Sequence, residues 1–99
     1  MGHNYAAGRR LEYKVKKEWE AKGYICFRTA GSHGPADIIA ASKTRPEVVF
    51  IQCKRVGGPK DAERVIARFK KEPFLNAALH SQVVEIYVKK TRERLTSWI

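Results

Sequence analysis

The chain has 99 residues, room for one domain and not two. Hydrophobic residues make up 43% of it, enough for a core and too many for a disordered tail. No apolar run reaches membrane-spanning length and no signal-peptide h-region opens the chain, so a cytoplasmic protein is expected, a host's cytoplasm if the gene is viral. Lys and Arg number 20 against 10 Asp and Glu, and the net charge of +10 is spread along the chain. A folded domain with such a field attracts polyanions, nucleic acid first among them.

In chain order, Leu11, Val15 and Trp19 recur every fourth residue and predict a helix from about Ala6 to Lys22. Glu18 and Lys22 are expected to pair on its surface, and Gly23 to stop it. Residues 24–29, rich in β-branched and aromatic side chains, predict a strand, and 31–35 a loop by its Gly and Pro. Residues 36–41 predict a second strand and 42–46 a turn. Residues 47–53 predict the central strand, because both of its faces are apolar. A second helix is expected with Asp61 in its first turn, running to Lys71 with Ala62, Val65, Ile66 and Phe69 inward. A short helix over 74–79 and a strand over 83–88 follow; the tail from Arg92 is a last strand or an arm. The first three strands are expected to form a meander, and the helical connection lets the fourth lie parallel to a neighbour.

Cys26 and Cys53 sit in apolar runs and read as reduced, buried thiols. No Cys or His pair has zinc-ligand spacing, and no phosphate-binding Gly loop occurs. The informative residues are polar ones inside apolar strands, which cost free energy unless something uses them. Asp37 interrupts the second strand; Gln52 and Lys54, two apart, project to one side of the third. Gly8, Glu12, Val15 and Trp19 share one side of the first helix, which puts Glu12 at the border of its packed face. Together these offer a divalent cation two carboxylates (Glu12, Asp37), the Gln52 amide oxygen and the Cys53 main-chain carbonyl, with Lys54 to orient water or stabilise developing charge. Each has an ordinary alternative alone: Glu12 as a solvated helix residue, Asp37 as a turn cap, Lys54 as surface charge. The joint arrangement is the signal. Arg9, Arg10, Lys60, Arg64 and Arg68 are expected to meet DNA phosphates.

Three stretches, residues 8–12, 28–40 and 49–55, come in an order that resembles the archaeal-type Holliday-junction resolvases and their bacterial and phage relatives, nucleases of the PD-(D/E)xK superfamily. The resemblance spans roughly residues 5–56. It implies a restriction-endonuclease-like α/β core with a mixed four- to five-stranded sheet flanked by helices. It also implies a homodimer that binds a four-way DNA junction and nicks opposed strands using Mg2+, with Mn2+ as a substitute. Glu12, Asp37, Gln52 and Lys54 match the family's active-site positions, Ser32 the loop serine, and Arg28 a basic residue near the scissile phosphate. His33 and Arg55 stand beside these positions as further DNA contacts. Gln52 departs from the usual glutamate and removes one formal charge from the site. Two other functions remain open: a general, flap or repair nuclease on the same fold, and an inactive nucleic-acid-binding module.

Overall fold

The computed structural model describes residues 2–29, 36–72 and 81–99, with side chains of the first helix from Ala7 onward. The apolar stripe of Leu11, Val15 and Trp19 is buried, and it holds helix α1 (Gly2–Ala21) to the sheet. The helix begins four residues before the expected Ala6. It ends because Gly23 takes φ +97°, open to glycine and costly for any residue with a Cβ. Gly23→Ala is therefore expected to lower stability by about 1–2 kcal/mol, read from the urea midpoint.

Five strands follow around a second helix: β1 (Tyr24–Arg28), β2 (Ile38–Ser42), β3 (Val48–Val56), α2 (Pro59–Lys71), β4 (Ser81–Val88) and β5 (Glu93–Trp98). They form one sheet in the order β1-β2-β3-β4-β5. β1, β2 and β3 are the expected antiparallel meander, β4 runs parallel to β3, and the tail is a strand antiparallel to β4. β3 is the middle strand, as its two apolar faces predict. The alternation of β4 builds a core on each side of the sheet. Val83 packs under α1 with Val15, Trp19, Ile38, Val49 and Ile51, whereas Val84, Ile86 and Val88 face Ala62 and Phe69 of α2. Val65 and Ile66 of α2 pack against the second core, so the helix buries the face its sequence pattern indicates. This is the mixed α/β sheet with a helix on each face that was expected.

Several details differ from the sequence reading. β2 starts at Ile38, so Asp37 lies just before the strand and not within it. β3 runs on to Val56, which places Gln52 and Lys54 inside the strand and not at its end. Glu18 does not pair with Lys22: it takes both terminal nitrogens of Arg94, at 3.0 and 2.9 Å, while Lys22 lies 4.5 Å from the Trp19 ring centroid. The observed i,i+4 pair of α1 is Lys16 with Glu20, at 2.7 Å. The helix expected over 74–79 lies outside the described residues.

The largest departure is a buried charge cluster. Glu85, 1% exposed, accepts from the Trp19 indole N–H at 2.8 Å, from Arg94 at 3.2 Å and from the Thr96 hydroxyl. Arg94 thus bridges Glu85 and Glu18 and joins β5, β4 and α1. Desolvation disfavours its charge, but the hydrogen bond to Glu18 and the two carboxylates outweigh it and hold Arg94 above its ordinary pKa.

Candidate active site

The sheet forks where β2 begins. β2 pairs with β3 only from Ile38 opposite Ile51 to Ala41 opposite Val48, whereas β3 continues beside β4 to Val56. The register slips at the fork: Asp37 N–H donates to Ile51 C=O at 2.9 Å, one residue out of step with the Ile38–Ile51 pairing. Beyond it, no described strand pairs with the β3 edge that faced β2. Asp37 Oδ2 takes over and accepts the Cys53 N–H at 2.8 Å. A strand residue points its N–H and C=O to the same edge, so the Cys53 carbonyl also opens into the fork.

Around this edge the candidate side chains gather. Glu12, Cys53, Lys54 and Arg55 line one 360 Å³ cleft with Gly8, Leu11 and Lys89. By register, Gln52 and Lys54 share the β3 face of Val56, on the α2 side, while Cys53 packs toward α1. Residues from both faces meet in this cleft because the edge between them is open. Gln52 Oε1 is buried and accepts no hydrogen bond among the described residues. Burial pushes the Cys53 thiol well above its ordinary pKa, and the carboxylates of Asp37 and Glu12, then Glu85, add to the shift. An added Cβ at Gly8 would meet nothing within 4 Å, so the helix flank above the cleft is open.

Glu12 is already engaged. Arg28 donates to its Oε1 from Nε at 3.1 Å and from Nη2 at 3.0 Å. The same guanidinium donates to the Tyr13 hydroxyl at 3.1 Å and lies 4.4 Å from the Tyr13 ring centroid. This fixes Arg28 beside Glu12 and leaves Glu12 Oε2 unbonded among the described residues.

No family model matches the chain. One curated relative is the crossover junction endodeoxyribonuclease Hjc of Methanocaldococcus jannaschii, 30% identical over 95 aligned positions that cover 87% of this chain and 69% of the relative. The chain belongs to the archaeal Holliday-junction resolvase family. Its fold is that of a solved resolvase, Archaeoglobus fulgidus Hjc, with a TM-score of 0.57 and 16% identity over 91% of this chain and 70% of that one.

In this family member the described site residues separate into two groups. Glu12, Arg28, Asp37, Gln52, Cys53, Lys54 and Arg55 stand at the fork or on the cleft beside it. Lys60, Arg64 and Arg68 do not: they are exposed on α2 and do not line this cleft. Arg64 pairs with Asp61 at 3.2 Å, and Arg68 lies over Phe69 at 5.0 Å. Arg9 and Arg10 are exposed on α1. Ser32 and His33 lie outside the described residues. Sequence reasoning missed Tyr13 and Lys89; Tyr13 had a usable signal, as an aromatic next to the helix acid. No described helix is long and apolar enough to cross a membrane.

Proposed function

We propose that the chain is a divalent-ion-dependent endodeoxyribonuclease that resolves four-way DNA junctions, acting as a homodimer that makes paired nicks. The observation that carries this reading is the buried Gln52 Oε1, unpartnered among the described residues and one residue from the Cys53 N–H that Asp37 caps. A buried polar oxygen without a donor costs about 1–3 kcal/mol, and a cation offsets that cost. Among the described residues no group of three His, Cys, Asp or Glu could hold an ion. The donor set here is of another kind: carboxylates of Asp37 and Glu12, the Gln52 amide oxygen and the Cys53 carbonyl. All are hard oxygens, which suit Mg2+ or Mn2+. When bound, such an ion neutralises phosphate charge and lowers the pKa of a water.

The chain's own residues do the rest. Lys54 holds a positive charge at the cleft and stabilises the oxyanion that develops on phosphorus. Arg28, pinned between Glu12 and Tyr13, presents a second cation on the α1 side. The net charge of +10 brings DNA to the surface through phosphate contacts, so junction choice follows from shape and from the spacing of two protomers' sites.

The test is a panel of labelled four-way junction, flap, plain duplex and single strand, each with Mg2+ and with EDTA. Paired nicks in opposed arms, lost in EDTA with binding retained, are expected. Equal cutting of every substrate would indicate a general nuclease; binding without cutting in Mg2+ and Mn2+ would indicate an inactive module. Lys54→Ala is expected to stop cutting and spare binding. Gln52→Glu restores a formal charge and is expected to stay active with a shifted ion optimum. A folded but inactive Glu variant would contradict Gln52 as a ligand.

A further inference from the structure

A second cleft of 240 Å³ adjoins the one at the fork and shares Leu11 and Arg55 with it. Its other walls are Ala7, Arg10 and Lys14 on α1, Tyr87 on β4 and Arg94 on β5. No carboxylate lines it. Arg94 is not a free cation here, because Glu18 and Glu85 already hold its guanidinium. Arg10, Lys14 and Arg55 are different: none of them pairs with a carboxylate among the described residues. Arg10 and Lys14 stand at i and i+4, so their side chains emerge from one flank of α1. Arg55 faces them from β3, its guanidinium 5.7 Å from the Tyr87 ring centroid. Three unpaired cations thus converge from two elements, one of them stacked on an aromatic ring that limits its freedom.

We propose that this cleft is a phosphate subsite for the DNA strand being cut, seating a non-scissile phosphodiester next to the one at the fork. The inference rests on the junction-nuclease reading and goes beyond it by assigning Lys14 and Tyr87 and by joining them with Arg10 and Arg55, expected from sequence to contact DNA, in one subsite. Arg55, in the wall common to both clefts, is the link between adjacent phosphates of one strand. The subsite sets the register of the strand across the fork: a backbone held at a fixed step from the scissile phosphate presents one bond to Asp37 and Lys54. Phosphate contacts of this kind position without reading sequence.

The test is salt-dependent binding of a four-way junction and of plain duplex in EDTA, with the wild type, Arg10→Ala/Lys14→Ala, and Arg64→Ala/Arg68→Ala as a control on α2. Each phosphate neutralised contributes about 0.9 to the slope of log K against log salt on B-DNA. The α1 double variant is expected to lose about one such step on both DNAs, and to bind more weakly by roughly tenfold at moderate salt. A methylphosphonate one step from the scissile phosphate should reproduce that loss in the wild type and add nothing to the α1 variant. In Mg2+, KM is expected to rise with little change in kcat or in the ion concentration for half-activity. An unchanged slope in the α1 variant overturns the subsite, and so does a methylphosphonate effect that persists in full in it. A lost step on duplex by a protein that does not prefer junctions keeps the subsite and removes the junction reading. Junction resolution with an unchanged slope does the reverse.

Discussion

Asp37→Asn is expected to stop strand cutting while the protein stays folded and still binds DNA. The two halves of that result have different physical origins. Asp37 Oδ2 accepts the Cys53 N–H at 2.8 Å, at a strand edge that β2 has abandoned. An asparagine keeps an acceptor oxygen of the same shape, so the fork holds and the urea midpoint moves little. The variant loses the formal charge that the proposed ion requires, and a hard divalent ion depends on carboxylate charge where one donor is already the neutral Gln52. The ion's share of transition-state stabilisation is several kcal/mol, so single-turnover cleavage is expected to fall by roughly 10²–10⁴-fold. Asp37→Ala should lose cutting as well. It strands the Cys53 N–H and adds a stability loss of about 1–3 kcal/mol. Equal destabilisation by Asn and Ala would show that the carboxylate serves the fold alone.

The second large effect concerns stability. Glu85→Ala removes the acceptor of the Trp19 indole, the Thr96 hydroxyl and one arm of Arg94, all in a site 1% exposed. Breaking one partner out of a buried ion pair costs about 3–5 kcal/mol, because the remaining charge stays buried. A domain of this size has a total of about 5–15 kcal/mol to lose. The Ala variant is expected to unfold at a much lower urea concentration, followed by the fluorescence of Trp19. Glu85→Gln keeps an oxygen for Trp19 and should recover part of the loss. A shift worth less than about 1 kcal/mol would mean that Glu18 alone satisfies Arg94.

The Glu85 cluster also carries a signal in the sequence. A charged residue within an apolar strand needs a use. The rule singled out Asp37, Gln52 and Lys54, and it applies equally to Glu85 between Val84 and Ile86. What the sequence did not reveal was the partner, because Arg94 arrives from β5 and Trp19 from α1, 9 and 66 residues away. Arg94 stands near the exposed basic residues Lys89, Lys90 and Arg92 in sequence, yet it is structural, held by Glu85 and Glu18.

Element order, the meander, the parallel fourth strand and the inward face of each helix were legible, because local periodicity reports them. The fork was not. It depends on β2 being shorter than β3, and the sequence pattern overestimated the reach of β2 by including Asp37. The strand alternation that aligned Gln52 with Lys54 was legible, but it also sets them on the face away from α1, so their approach to Glu12 depends on the open edge. That Lys60, Arg64 and Arg68 would stand off the cleft at the fork was not legible, because charge along a chain does not report where its helix packs.

Anomalous diffraction from crystals grown with Mn2+ would test the ion site most directly. One peak is expected in the fork, bound by Asp37, Gln52 Oε1 and the Cys53 carbonyl at about 2.0–2.3 Å, with Glu12 turned toward it. A peak elsewhere with Gln52 Oε1 still unpartnered, or no peak at saturating Mn2+ in a protein that cuts junctions, would contradict the account.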